Sequence, residues 1–147
     1  MITNTQIMLI RKSWRQFMGI EPAVIADLFY SKLFADNPGI RKLFPRQMEA
    51  QYVKLIDMLN TIISRLPQLD ALTDDLAAMA QRHTSYGTKP VHYKLVGKAL
   101  VWTLRQGLGK EWNTELEEAW LHCYTVLSNI MINASIPAND EFASSKH

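Results

Sequence analysis

The sequence is short of cysteine, of net charge and of long apolar runs. Cys123 is its single cysteine, which excludes an internal disulfide and a zinc site built from several cysteines. The 147 residues carry a formal net charge of +2, whereas a dedicated nucleic-acid binder usually shows a concentrated basic stripe. No apolar run approaches the roughly 18 residues that a membrane span requires. We therefore expect a protein that binds neither nucleic acid nor a membrane.

Two further features could point to another location or partner, and both are weak. The opening MITNTQIMLIRKSW has a short apolar patch followed, rather than preceded, by Arg11 and Lys12, which is not the pattern of a secretory signal. The densest basic cluster, Arg41, Lys42 and Arg46, is interrupted by apolar residues and proline, and we interpret it as a solvated surface. We expect a cytoplasmic protein that is a monomer or a weak homodimer.

Strand patterns are equally scarce, and helical periodicity recurs along the chain instead. There is no sustained alternation of apolar and polar residues and no Asn-Gly or Asp-Gly turn. A short turn is predicted to begin at Asn37, and a capping box of Thr114 and Glu117 to open the last helix. We expect one all-α domain over 1–135 and a flexible tail over 136–147. The predicted helices cover residues 5–18, 21–35, 47–65, 73–85, 90–107 and 114–134.

A histidine lies where the helical pattern predicts an apolar residue. Counting back from His83 in helical steps along LAAMAQRHTSYGTKP gives Ala80, Met79, Leu76 and Leu72. The histidine therefore continues an apolar stripe in the last turn of its helix. Taken alone, such a residue is more often a hydrogen-bonded core or helix-end histidine than a ligand. An imidazole can also bind a metal axially, where its ring is fixed and the facing side of the site is roomy and apolar.

The helix predicted over 47–65 has a matching pattern, in which one polar residue heads an apolar stripe. Two helices of this kind would enclose a flat apolar slot. A metal-binding side chain would lie on one side of the slot and a hydrogen-bond donor on the other. That shape fits a macrocycle. The stripe of the second helix consists of Gln51, Leu55, Met58, Leu59 and Ile62.

Four segments of the chain together carry a resemblance that reaches from residue 28 to residue 120. They are LFYSKLFADNPGIRKLFP, MEAQYVKLIDML, RHTSYGTKPVHYKLVGKALVWTL and EEAW. The chain resembles a bacterial single-domain globin, of the kind similar to the haem domain of flavohaemoglobins. The resemblance implies a globin fold, a three-over-three helical sandwich, holding one haem b (iron protoporphyrin IX). Because a single cysteine cannot supply a Cys-x-x-Cys-His attachment motif, the haem would be non-covalent.

On the proximal side of the haem, the resemblance implies that His83 is the metal ligand. The resemblance also implies that Phe44, between the third and fourth helices, wedges against the porphyrin, and we expect Met79 among the haem contacts. Tyr93 matches a tyrosine that, in flavohaemoglobins, joins a glutamate in holding the iron-bound histidine. The place of the glutamate falls on Ser135 by ungapped counting, and a serine cannot supply the charge of a carboxylate. We therefore expect weak peroxidase activity at most.

On the distal side, the resemblance implies that Tyr30 and Gln51 act on the ligand, with Leu55 lining its pocket. Taken alone, Tyr30 would more often be an amphipathic residue with its hydroxyl at the surface. However, it lies between Phe29 and Leu33 in the most apolar stretch of its helix. A buried phenol needs a partner, and bound dioxygen is a good acceptor. Gln51 would either donate a second hydrogen bond to the ligand or bond to Tyr30 and orient it.

The predicted function is the reversible binding of dioxygen, and of nitric oxide and carbon monoxide, at ferrous haem. The resemblance also suggests nitric oxide dioxygenation, in which bound oxygen converts nitric oxide to nitrate. Flavohaemoglobins continue into flavin and nicotinamide domains, and this sequence has no glycine-rich phosphate fingerprint. We therefore expect electrons to come from a separate reductase. The alternatives are a haem-based gas or redox sensor acting through a partner protein, and a helical interaction module without haem.

Overall fold

The computed structural model describes residues 2–68, 73–85 and 88–135, and within these ranges it has no strand. The all-α prediction is confirmed. Each helix begins and ends within a few residues of its predicted limits. The helices are α1 (Asn4–Phe17), α2 (Pro22–Asp36), α3 (Glu49–Ser64), α4 (Thr73–Ser85), α5 (Pro90–Leu108) and α6 (Thr114–Ser135), with short 3-10 helices at Pro38–Leu43 and Gly109–Glu111.

Local sequence explains where the helices begin. Thr3 caps α1 through a capping box, because its hydroxyl accepts from the Gln6 amide at 3.0 Å and the Gln6 side chain accepts from the Thr3 amide at 3.1 Å. Pro22 and Pro90 open α2 and α5, where the missing N–H of proline removes no helical hydrogen bond. No helix in the described ranges is long and apolar enough to cross a membrane.

At the start of α6 the predicted capping box is wrong. Asn113, rather than Thr114, caps the helix, because its side-chain oxygen accepts from the Leu116 amide at 2.9 Å. The carboxylate of Glu117 is used elsewhere, since it pairs with Arg105 at 3.0 Å. The helix therefore begins as predicted, with a different residue as its cap.

The helices form two layers of three. α1, α3 and α4 lie across α2, α5 and α6: α1 packs on α5 and α6, α3 on α2, and α4 on α6. Between the layers, apolar side chains such as Phe17, Leu33, Leu76 and Leu104 are almost wholly removed from water. This is the three-over-three sandwich that the resemblance implies.

Contacts from α1 hold α3 in place. The indole Nε1 of Trp14 donates to the side-chain oxygen of Asn60 at 2.7 Å. The guanidinium of Arg11 donates to the carbonyls of Ile63 at 3.3 Å and Ser64 at 2.7 Å. These carbonyls belong to the last turn of α3, where no helical partner remains, so a cationic donor stabilises that end. The C-terminal half of α3 is therefore fixed to α1.

Gly97 marks a close approach of α5 and α6. A glycine inside a helix costs about 1 kcal/mol relative to alanine, and the sequence predicts that a crossing helix is the reason. A Cβ at this position would lie 2.6 Å from a ring carbon of Tyr124. The prediction is confirmed. The Tyr124 hydroxyl also donates to the backbone carbonyl of Tyr93, one turn before Gly97.

Candidate functional site

Tyr30 of α2 and Gln51 of α3 meet across the two helices. Nε2 of Gln51 donates to the Tyr30 hydroxyl oxygen at 3.4 Å. Tyr30 is only 4% exposed, and this burial raises its pKa to about 12, although the Gln51 hydrogen bond acts in the opposite direction. The phenol is therefore neutral at physiological pH. Of the two arrangements predicted for Gln51, the structure has the one in which it bonds to Tyr30.

Four aromatic rings surround Tyr30. Phe44 meets it edge-on, with ring centroids 5.5 Å apart, and Phe29 does the same at 4.9 Å. Tyr52 stacks on its face at 5.6 Å with an interplanar angle of 11°, and Phe34 stacks at 5.8 Å. Contacts of this kind confine the ring. The contacts with Phe34 and Tyr52 were not predicted. The four-residue spacing from Tyr30 to Phe34 is a signal in the sequence, whereas the stack with Tyr52 joins two helices and leaves none.

Tyr52 connects this cluster to the protein surface. Its hydroxyl donates to Oδ1 of Asp27 at 3.1 Å, so its ring lies between Tyr30 and an exposed carboxylate. Desolvation is the main reason that the pKa of Tyr52 is raised, and the hydrogen bond to Asp27 adds to the shift. The hydroxyl groups of the two stacked tyrosines thus have different partners.

A cleft of about 220 Å³ lies between α3 and α4. Met79, a predicted haem contact, is part of its lining. Leu55, predicted to line the ligand pocket, is half-buried on α3 and packs against the core, but it is not among the residues that line this cleft. The cleft is mostly apolar, and its lining residues are Asp57, Met58, Thr61, Ile62, Asp75, Leu76 and Met79.

His83 lies in the last turn of α4, one turn after Met79. Its Nδ1 is 2.7 Å from the Met79 carbonyl oxygen, which can only accept a hydrogen bond. Nδ1 therefore carries a proton and donates to this carbonyl, and the tautomer with that proton alone has a lone pair on Nε2, the state in which an imidazole binds a metal. Of the predicted stripe, Leu76 and Ala80 are buried and His83 is half-buried, whereas Leu72 lies outside the described residues.

Tyr93, near the start of α5, has a buried hydroxyl that finds no hydrogen-bond partner among the described residues. Burial also raises its pKa. Such a group normally has a partner. Ser135 is the last residue of α6, but its side chain lies outside the part of the chain that the structure describes, so a link between the two remains a prediction.

The predicted site residues thus fall into separate groups. The structure brings Tyr30, Gln51 and Phe44 together. Within the described ranges, no hydrogen bond or ring contact joins His83 or the hydroxyl of Tyr93 to that group. Three features of the described residues fit a haem: Nε2 of His83 without a partner among them, the apolar cleft between α3 and α4, and the buried Tyr93 hydroxyl that they leave unsatisfied.

The chain has sequence relatives along most of its length. The family model described as Globin matches residues 27–131. The chain is 29% identical over 136 residues to a flavohemoprotein of Vibrio cholerae, covering 90% of this chain and 34% of that protein. It is 28% identical over 134 residues to a neuroglobin of Tetraodon nigroviridis, covering 81% and 83%. The chain therefore spans about a third of the length of the flavohemoproteins that it matches.

Solved structures show the same fold. An engineered carbene transferase made from a proposed nitric oxide dioxygenase of Rhodothermus marinus superposes with a TM-score of 0.82 at 23% identity, over 100% of both chains. A bacterial globin of Campylobacter jejuni superposes with a TM-score of 0.78 at 19% identity, over 90% of this chain and 96% of that one. At such identities the likeness concerns the fold alone.

Proposed function

This chain belongs to the globin family, and we propose that it binds dioxygen reversibly at a ferrous haem b held without a covalent bond. Nitric oxide and carbon monoxide are the further ligands. The observation that carries the proposal is the hydrogen bond from Gln51 to Tyr30. Because the phenol oxygen accepts this bond, its own proton remains available for a ligand.

In this proposal His83 is the protein ligand of the haem. The Met79 carbonyl holds Nδ1, which fixes the orientation of the ring and leaves Nε2 as the binding atom. Phe44, Leu55, Met79 and Tyr93 are the further haem contacts. When bound, the haem supplies a ferrous iron that takes up small diatomic gases.

Tyr30 and Gln51 distinguish the ligands by polarity. A hydrogen bond from Tyr30 would stabilise a ligand whose outer atom gains negative charge on binding, as that of dioxygen does, and would act little on carbon monoxide. The phenol is held neutral, because burial raises its pKa to about 12. Neither a neutral phenol nor an amide is a strong iron ligand, so the pocket is left to exogenous gases.

Oxygen binding is tested by the absorption spectrum of the purified, reduced protein during cycles of oxygenation and deoxygenation. We expect a haem spectrum that shifts with oxygen and returns when oxygen is removed. A colourless protein would contradict the proposal, and so would a haem protein whose reduced spectrum does not change when oxygen is added. Reconstitution with added haem b distinguishes loss of the cofactor during purification from inability to bind it.

Nitric oxide dioxygenation with a separate electron-donating reductase is a second candidate function. The match to flavohemoproteins over 90% of this chain favours it. Its test is steady-state consumption of nitric oxide by the oxygenated protein in the presence of an added reductase. Sustained turnover supports the enzyme, whereas a single stoichiometric burst supports a carrier. The cytoplasmic location expected from the sequence remains a prediction.

A further inference from the structure

The guanidinium of Arg41 is turned onto the backbone that follows its own short helix. Its Nη1 donates to the carbonyls of Phe44 at 3.3 Å and Pro45 at 2.9 Å, and its Nη2 donates to the carbonyl of Arg46 at 3.0 Å. The sequence predicts a solvated cluster here. Lys42 and Arg46 are indeed exposed, but Arg41 is half-buried. One of the three cations therefore binds the protein itself.

The same guanidinium reaches the aromatic cluster around Tyr30. Its Cζ lies 5.1 Å from the centroid of the Phe34 ring. Phe34 meets Phe44 with centroids 5.4 Å apart and an interplanar angle of 62°, and Phe44 in turn meets Tyr30 at 5.5 Å and 70°. Arg41 therefore acts on Phe44 in two ways, through the backbone carbonyls and through Phe34.

An arginine suits this position better than a lysine. Pro45 has no N–H, so the turn that contains it cannot complete its own ladder of hydrogen bonds. A guanidinium offers five donors in a planar fork, and hydrogen bonds from a charged donor are stronger than neutral ones. A lysine carries a single ammonium group, which cannot span three carbonyls with the same geometry.

We propose that Arg41 is a positioning residue for the ligand pocket. It holds the turn 44–46 so that the ring of Phe44 keeps the ring of Tyr30, and with it the hydroxyl, in one orientation. The inference rests on the proposed function, because it takes Tyr30 as the residue that meets the bound ligand. Arg41 itself need touch neither the ligand nor the haem.

The first test measures the turn itself, by amide hydrogen exchange in the full haem-containing chain. Arg41→Gln and Arg41→Lys should each speed exchange of the Phe44 amide, which bonds to the Arg41 carbonyl, by about tenfold. The matched control is Lys42→Gln, which removes the neighbouring exposed cation and should leave exchange unchanged. Wild-type exchange in either Arg41 variant would overturn the proposal.

The second test separates positioning of Tyr30 from a general loss of stability. Arg41→Gln should speed oxygen dissociation by about threefold to tenfold, but should have little further effect when Tyr30→Phe is already present. An equal effect in both backgrounds would overturn the proposal. If the wild-type protein itself bound no oxygen, the proposed function would fail, while the exchange test would still report on the contact between Arg41 and the turn.

Discussion

Gln51 donates its hydrogen bond to Tyr30, rather than accepting one from it. The direction matters, because a phenol that accepts at its oxygen still has its own proton to give. Had Gln51 turned its carbonyl oxygen to Tyr30, that proton would already be engaged. The pair therefore presents a neutral, oriented donor in a buried site.

The first prediction concerns this donor. A hydrogen bond from Tyr30 to bound oxygen should be worth about 1–3 kcal/mol, because the acceptor carries partial charge. Tyr30→Phe should therefore speed oxygen dissociation by about ten to a hundredfold, with a much smaller change for carbon monoxide. Tyr52→Phe is the matched control, since it removes a hydroxyl that is bonded to Asp27 and keeps the stacked ring. Equal changes for both gases in Tyr30→Phe would show that Tyr30 acts through pocket shape.

A second prediction follows from the pKa of Tyr30. The folded value of about 12 lies above the ordinary value of 10.0, so folding holds the phenol in its protonated form. The stability that the folded protein gains from holding Tyr30 protonated is fully present below pH 10. It is lost as the pH rises from 10 through about 12. The loss amounts to about 1.4 kcal/mol per pH unit for one such group. Between pH 9 and pH 11.5, the free energy of unfolding should therefore fall less steeply in Tyr30→Phe than in wild type. Denaturant unfolding curves at several pH values measure this, and parallel pH dependences would contradict it.

The third prediction concerns the iron ligand. His83→Ala should lose haem or bind it weakly, and added imidazole should restore the ligand field of the iron. The control is His92→Ala, because the Nδ1 atom of His92 is engaged with the Lys89 amide at 2.8 Å. Absorption spectra of the purified variants decide the matter. A wild-type spectrum in His83→Ala, together with an altered one in His92→Ala, would show that the ligand is misassigned.

The fourth prediction concerns the packing of α5 on α6. Gly97→Ala should lower the free energy of unfolding by about 1–3 kcal/mol, because the new Cβ would meet the Tyr124 ring, even though alanine favours the helix. Gly39→Ala is a matched control, since nothing lies within 4 Å of a Cβ built at that position. Denaturant unfolding provides the measurement. In a Tyr124→Leu background, Gly97→Ala should lower the free energy of unfolding by less. An equal loss in both backgrounds would show that the Tyr124 ring is not the source of the strain.

The fifth prediction concerns Ser135 and Tyr93. If residue 135 occupies the place of the proximal carboxylate, Ser135→Glu should raise peroxidase activity and lower the reduction potential of the iron. The buried hydroxyl of Tyr93, which has no partner among the described residues, is the group that would receive the new carboxylate. A carboxylate is costly to bury without such a partner. Adding Tyr93→Phe should weaken both effects. Unchanged peroxide turnover and potential in a variant that folds and binds haem would show that residue 135 is not coupled to the proximal site.

The sequence by itself determined the helices and the positions that matter along each of them. Proline, glycine and capping residues act within one turn of the chain, and the apolar stripes repeat every three to four residues. For this reason the bounds of α1 to α6, the stripe that ends at His83 and the need for a close contact at Gly97 could all be predicted.

Only the tertiary structure decided which side chain each of these positions meets. Tyr52 stacks on Tyr30 because α3 crosses α2 at that level, and Glu117 does not cap α6 because it pairs with Arg105 from α5. Arg41 is half-buried rather than fully solvated because the carbonyls of Pro45 and Arg46 come within reach of its guanidinium. Partners of this kind depend on the packing angles and distances between elements, for which spacing along one helix carries no signal.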